Sequence, residues 1–331
     1  MREFTWVDGE RTIHFGPAAG RAVAWLGGPG YTLLTTPRAA SAAPDVVEAA
    51  GAVHEVGPGQ VHELAGALLG VVRGDRIVAL GGGRVIDVAK ALAAAASAGV
   101  GAAAPDRDVR AMAVPTTLSG AEMTSGHRHA AGVDEATPRV RAAVVVFDPA
   151  LAASQPVPEL AASSLNALGH AVEGPCTVRA NPVATLAAHE AARLIANGWS
   201  TGEPDREPLA LGALLAGYVI DSTGVGLHHV LAQTLVRVAG AGHGPANAAM
   251  LPHTAAALAR RAPEAVAALG DVAGVARAIA ARAGAARLRD IGVDPAALGA
   301  CADAAAARPQ LANTPPPADR DEILALYEAA A

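Results

Sequence analysis

Gly81-Gly82-Gly83 stands directly after the apolar run 77–80 and directly before a helix-like run, residues 85–92. Only glycine lets a backbone turn that sharply with its N–H groups facing an incoming anion. The helix that follows presents the positive end of its dipole to the same spot. The chemistry on offer is a seat for a phosphate group, of the kind a nucleotide carries. The same turn also serves proteins that only pack a helix closely on a sheet, and the turn alone does not choose between the two.

A second set of chemically able residues lies in the other half of the chain. Asn166 and His170 are four residues apart, so on a helix they share a face. His229 lies in Gly226-Leu227-His228-His229, and His243 follows fourteen residues later in Gly242-His243-Gly244-Pro245. The glycines there break a helix, and Pro245 suits the first turn of the next one. Imidazole nitrogens and an amide oxygen are ordinary ligands for zinc or iron, so the set offers a divalent-cation site. Any one of these histidines taken singly reads as well as a capping or core residue.

The elements that must position these residues follow from the apolar pattern. Residues 31–36, 52–56, 76–80, 109–114 and 142–147 read as strands, and 43–50, 61–73 and the run after the glycines as helices. That alternation predicts a parallel sheet covered on both faces. Beyond Asp148-Pro149 only helical stretches are expected, broken by Pro, Gly and Asn, with Pro315-Pro316-Pro317 leading into a last helix over 320–330. The expected layout is an α/β dinucleotide-binding domain over 1–150 and an all-helical metal and substrate domain over 151–331. A cleft between the two is the default ligand site.

Composition narrows the function classes. A chain of 331 residues that is 52% hydrophobic and 17% charged builds a large core, and its net charge of −6 leaves no electrostatic footprint for nucleic acid. Two cysteines, Cys176 and Cys301, make no disulfide framework, which fits a reducing compartment. The N-terminal Met1-Arg2-Glu3-Phe4-Thr5-Trp6 lacks a signal-peptide core, and the apolar stretch 91–104 is too short to span a bilayer. A cytoplasmic protein with a small-molecule substrate and no membrane or nucleic-acid partner is expected.

Cofactor choice is read at the turn Thr35-Thr36-Pro37-Arg38. A carboxylate at such a strand end binds an adenosine ribose and repels a 2′-phosphate. None is present, so Thr36 and Arg38 are candidate contacts compatible with NADPH as well as NADH. A solvated surface Arg38 is the plainer alternative.

Several of these motifs, in this order, resemble the iron-containing (group III) alcohol dehydrogenase superfamily. Gly81-Gly82-Gly83-x-x-Ile86-Asp87-x-x-Lys90 is similar to its nucleotide motif. The run 115–124, with Thr116, Thr117, Leu118 and Thr124, is similar to its second cofactor loop. Asn166 and His170 stand where the family carries its first two metal ligands, and His229 and His243 match the remaining two. The resemblance runs from Phe4 to Leu324. It implies a dehydroquinate-synthase-like fold, α/β followed by all-α, an NADH or NADPH cofactor, a zinc or iron site and a homodimer.

Within the family, asparagine rather than aspartate at 166 resembles the maleylacetate reductase branch, as do Ser119-Gly120-Ala121-Glu122 and the run 226–229. Loss of a carboxylate removes a negative charge from the cation site, so a metal should be held less tightly or not at all. The branch implies hydride transfer from NAD(P)H to a carbonyl or activated C=C of a small carboxylate-bearing substrate. His243 or His229 would donate the proton, with His170 beside them.

Four departures from the family pattern stand on the chain. Arg84 follows the glycines in place of a small hydroxyl residue, and Gln233 replaces a histidine one turn after His229. Val236-Arg237 replaces a Gly-Gly pair, which makes Arg237 a candidate fork for a substrate carboxylate. The segment 127–141 is shorter than the family's β-hairpin and holds no lysine. Two other readings remain beside the reductase. One is a metal-dependent alcohol dehydrogenase, against which Asn166 argues. The other is a scaffold repurposed for non-redox catalysis or ligand binding, for which Arg84 and Arg237 argue.

Overall fold

A computed structural model of the chain describes residues 3–100 and 108–331. Met1, Arg2 and the end of the apolar stretch 91–104 lie outside the described residues. The chain divides into two compact units, Met1–Ser154 and Gln155–Ala331.

The first unit is a seven-stranded sheet with strands β1 (Phe4–Asp8), β2 (Arg11–Phe15), β3 (Thr32–Thr35), β4 (Ala52–Glu55), β5 (Arg76–Gly81), β6 (Arg110–Pro115) and β7 (Val144–Phe147). Their order across the sheet is β1-β2-β7-β6-β5-β3-β4. Every pairing is parallel except β1 with β2. That antiparallel hairpin was not expected. Its local signal is Asp8-Gly9 between two alternating runs, with Gly9 at φ 61°, a backbone state that tight hairpin turns require.

The helices of this unit are α1 (Ala22–Trp25), α2 (Pro37–Ala42), α3 (Pro44–Glu48), α4 (Val61–Leu68), α5 (Gly83–Ser97) and α6 (Pro149–Ala152). The expected helix over 43–50 is α3, and α2, which was not expected, precedes it. Pro44 forces the residue before it out of helical geometry, and Ala43 sits at φ −141°. The expected helix over 61–73 stops at Leu68, ahead of Gly70 and Gly74. One face of the sheet, through Leu33, Val78, Leu80, Met112, Val114 and Val146, packs on residues of α1, α2 and α3. Helix α5 packs on β5 and β6 and is itself covered by α4.

The parallel strands follow a doubly wound path. From β3 the chain moves outward to β4, then returns to the other side of β3 and continues through β5, β6 and β7. The direction therefore reverses between β3 and β5, and open parallel sheets bind ligands outside the carboxyl ends of the strands at that point. Those ends carry Thr36-Pro37-Arg38 and Gly81-Gly82-Gly83.

The second unit is helical throughout its described residues. It comprises α7 (Val157–Glu173), α8 (Pro182–Gly198), α9 (Arg206–Thr223), α10 (Leu227–Val238), α11 (His243–Arg261), α12 (Pro263–Ala267), α13 (Val272–Ala283), α14 (Leu298–Ala306) and α15 (Arg320–Ala330), with four short 3-10 turns. Helix α7 is the centre, packed by α8, α9, α11 and α13, and every residue from Leu160 to Glu173 is buried. Asn166 and His170 are therefore held on a helix that has no solvent face at that level. No single described helix is long and apolar enough to cross a membrane, and α9 with α10 reaches that length only across a 97° bend. Cys176 and Cys301 are free and buried.

Candidate active site

At the glycine turn, β5 ends at Gly81 and α5 begins at Gly83, with Gly82 as N-cap and no side chain capping the first turn. The first-turn donors are thus left to the backbone and to whatever docks there. Gly82 is glycine because the neighbouring loop comes too close for anything else: a Cβ there would stand 2.9 Å from Thr117 Cγ2. The packing role of the turn is thus met at Gly82 by its approach to Thr117. Arg84 is exposed on the first turn of α5 and does not fill the seat. Across the switch point, Thr36 caps α2 by accepting from Ala39 N at 3.3 Å, and the exposed Arg38 donates through Nη2 to Thr116 O at 3.2 Å. Thr36, Arg38, the glycines and the start of the 116–124 loop are in this way one contiguous patch, with Thr116 N donating to Gly81 O at 2.9 Å.

The second loop is held from beneath by two buried cations. Lys90 Nζ donates to Ala121 O at 2.8 Å, Thr124 O at 3.0 Å and Gly126 O at 3.1 Å, and pairs with Asp87 Oδ1 at 2.8 Å. Arg11 Nη1 donates to Met123 O at 2.5 Å, while its Nε and Nη2 grip Asp8. Lys90 is fully buried, so its ammonium faces the loop it shapes rather than solvent. Thr116 and Leu118 are likewise buried, at 2% and 0% exposure. They offer a ligand backbone atoms rather than side chains, whereas Thr117 and Thr124 are half-buried. Glu122 is sealed in the same loop with both carboxyl oxygens unpartnered, and burial pushes its pKa up to about 7. Segment 127–141 contains no strand. His127 ties its ends together, accepting at Nε2 from Val140 N at 3.2 Å while its carbonyl accepts from Arg139.

In the helical unit the structure brings Asn166, His170, His229 and His243 together. Gly169 makes this possible, since a Cβ on it would stand 2.5 Å from His228 Nε2 and 3.3 Å from His229 Cε1. Removing that Cβ lets α10 lay both imidazoles against α7. The His170 and His229 rings stack at 4.5 Å and 21°, and His228 meets His229 edge-on at 4.7 Å. The exposed His243, first residue of α11, places Nε2 3.2 Å from Asn166 Oδ1, and Asn247 Nδ2 donates to the His243 carbonyl at 2.8 Å.

Glu173 organises the cluster, and the motif reading missed it. Its Oε1 accepts from the backbone N–H of His228 at 2.6 Å and of His229 at 3.4 Å. Its Oε2 lies 2.9 Å from His229 Nδ1. A carboxylate already accepting two N–H groups makes Nδ1 of His229 the protonated nitrogen, which leaves Nε2 as a lone-pair acceptor. That Nε2 is buried without a partner. His228 follows the same logic. Thr254 Oγ1 spends its proton on Met250 O at 3.0 Å, so His228 Nδ1 donates to Oγ1 at 2.8 Å. Burial, reinforced by the neighbouring rings, takes the pKa of His228 and of His229 down to about 3 and that of His170 well below the usual value. These three imidazoles are neutral at pH 7. With Glu173 at Nδ1, the geometry leaves His229 Nε2 placed as an acceptor, and of the two histidines expected as proton donors only His243 is exposed.

Whether this set fits a metal was tested on its donors. Among the described residues no three His, Cys, Asp or Glu side chains are placed to hold an ion. The two stacked rings lie in nearly parallel planes, and Asn166 Oδ1 lies 3.2 Å from His243 Nε2. As placed, the described side chains do not close around a zinc or iron.

The departures from the family pattern have individual explanations. Gln233 Oε1 accepts from Arg308 Nη2 at 2.9 Å, while Arg308 Nη1 also reaches Val230 O, so the glutamine belongs to a packing contact. Arg237 is exposed in the last turn of α10. Its backbone stands about 12 Å along the axis from His229, so it is no part of the imidazole cluster.

Comparison with known proteins gives the setting. A family model described as iron-containing alcohol dehydrogenase matches residues 34–149, and one described as the C-terminal part of the iron-containing alcohol dehydrogenase family matches residues 160–331. Maleylacetate reductase 1 of Rhodococcus opacus is 32% identical over 67% of this chain and 61% of its own length. Maleylacetate reductase of Sphingobium indicum is 32% identical over 71% of this chain and 68% of its own. The match spans only about half to three fifths of the length of the first curated relatives. The crystal structure of maleylacetate reductase from Agrobacterium tumefaciens superposes with a TM-score of 0.79 at 26% identity, covering 100% of this chain and 98% of that one. The fold expected from the sequence is the fold these structures share.

Proposed function

The chain belongs to the iron-containing alcohol dehydrogenase family, and from that premise we propose that it is an NAD(P)H-dependent reductase of the maleylacetate-reductase type. Its substrate is a small carboxylate-bearing molecule with a carbonyl or an activated C=C. The observation that carries the reading is the contact between His243 and Asn166. An amide oxygen, not a carboxylate, faces the one exposed imidazole of a cluster whose other rings are neutral. Such a set orients a proton donor and has no surplus negative charge to hold a cation.

The glycine turn and its surroundings fit a dinucleotide. An uncapped helix start lies at the switch point, Arg84 and Arg38 are exposed beside it, and no carboxylate stands at Thr36–Arg38 to repel a 2′-phosphate. The backbone of 81–84, with Thr117 and Arg38, would hold the phosphates and ribose. When bound, the dihydronicotinamide supplies hydride. Hydride arrival leaves an alkoxide from a carbonyl, or an enolate from a conjugated C=C. His243 then delivers the balancing proton, and histidine suits this because its ordinary pKa lies near neutrality. Asn166 holds the ring, and Glu173 fixes His229 as an acceptor beside it. The reading extends to NADPH as well as NADH and to a homodimer working in the cytoplasm, supported by the family resemblance.

The test is nicotinamide fluorescence during titration with NADPH and then NADH, followed by maleylacetate. Binding in the micromolar range and substrate-dependent oxidation support the reading. Failure to bind either nucleotide would favour the repurposed scaffold.

A further inference from the structure

Helices α11, α13 and α15 line an open pocket of about 680 Å³ that the reductase chemistry does not use. Its volume is in the range of small-molecule sites. The apolar part of its wall includes Pro252, Ala280 and Leu326, all buried. Ala256, Ala325 and Ala329 keep it open, because longer side chains at these exposed helix positions would fill it.

The polar lining has one dominant sign. His253, Arg260 and Arg277 contribute to the wall, with a single carboxylate, Glu322. That carboxylate is already committed: its two oxygens accept from Arg261 Nη1 at 2.8 Å and Nη2 at 2.5 Å. Arg260 reaches it only at 3.8 Å and otherwise donates to Ala256 O at 3.4 Å. Arg277 has no carboxylate partner among the described residues. Partial burial, reinforced by the Arg277 charge, lowers the His253 pKa, so that ring is a neutral hydrogen-bonding group at pH 7. An apolar wall beside two guanidinium groups, one without a carboxylate partner among the described residues and one only loosely engaged, complements a molecule with an apolar body and one anionic end.

We propose that this cavity binds a small amphipathic carboxylate, with its acid group on Arg277 and Arg260 and its apolar body against Pro252, Ala280 and Leu326. Arginine forks bind carboxylates with directional, charge-assisted hydrogen bonds, which sets this ligand class apart from neutral apolar molecules of the same size. The site is separate from the imidazole cluster, although both use α11, whose first residue is His243.

The experiment is isothermal titration of the full chain with benzoate, with benzyl alcohol and acetate as probes carrying the body or the charge alone. Benzoate is expected to bind at one site, and the two partial probes at least about tenfold more weakly. The double variant Arg277→Gln/Arg260→Gln, and separately Ala256→Trp, which fills the cavity from an exposed position, should each weaken benzoate at least about tenfold at unchanged melting temperature. Neither should alter NAD(P)H binding, and His243→Ala should leave benzoate binding unchanged. Absence of benzoate binding, equal affinity in the cavity variants, or loss of binding in His243→Ala would each overturn the proposal. The last result would move the acid to the imidazole cluster, where the reductase reading places its own carboxylate-bearing substrate, whereas the first two leave that reading untouched.

Discussion

Glu173 Oε2 and His229 Nδ1 are 2.9 Å apart with both side chains sealed from solvent, and this pair sets the proton pattern of the whole imidazole cluster. Glu173→Gln keeps the size but offers an amide that must turn an N–H toward one of its three present donors. The His229 ring then loses its fixed tautomer. The expected outcome is a fall in kcat of about 100-fold or more with KM for NAD(P)H nearly unchanged, read by steady-state kinetics. An equal loss in both parameters would mean that Glu173 only supports the fold.

The neutral, buried His228 and His229 make the helical unit acid-sensitive. Their pKa values near 3 lie below the unfolded value of 6.5, so between those limits the unfolded chain binds more protons. Stability is then fully present above about pH 6.5 and declines as pH falls toward 3. Melting temperature measured from pH 7.5 down to 4.5 should drop steeply below about pH 6.

Glu122 acts with the opposite sign. Its pKa of about 7 lies above the unfolded value of 4.5, so the unfolded chain releases its proton first as pH rises. The stability it contributes is present below about pH 4.5 and is lost as pH rises through 7. Glu122→Gln should flatten this loss, making the variant more stable than the parent at pH 8 and no more stable at pH 5, as read by chemical denaturation.

Lys90→Met should destabilise the first unit by about 3 kcal/mol, because three inward carbonyls and Asp87 lose their buried partner together. The same variant should weaken NAD(P)H binding through the displaced loop, which titration of the folded fraction would report.

At the glycine turn, Gly82→Ala places a methyl 2.9 Å from Thr117 Cγ2. The clash should cost about 1–3 kcal/mol and weaken dinucleotide binding. Thr117→Ala removes the clashing atoms, so the double variant should recover much of the stability, and a double-mutant cycle measures the coupling directly.

Much of this arrangement was legible locally. The glycine turn, the Asn166–His170 spacing and the last helix over 320–330 each rest on residues within one turn of one another, where periodicity and turn chemistry speak plainly. What escaped is long-range. Glu173 meets a histidine 56 positions away, and Gln233 meets Arg308 75 positions away. No local pattern carries either pairing. Lys90 was legible as a motif residue, but its burial depends on the fold of a loop more than thirty residues on. The β1–β2 hairpin had a local signal in Asp8-Gly9, and its partner β7 lies far along the chain.

In the proposed reaction His243 delivers the proton of a nicotinamide-dependent reduction without a resident metal. The most direct test is the maleylacetate-dependent loss of NAD(P)H absorbance, measured in excess chelator for the parent chain and for His243→Ala. Turnover should survive the chelator and fall by about 100-fold or more in His243→Ala while the fold is retained. Turnover that vanishes with chelator and returns with added iron or zinc, or that is indifferent to His243, would contradict that proposal.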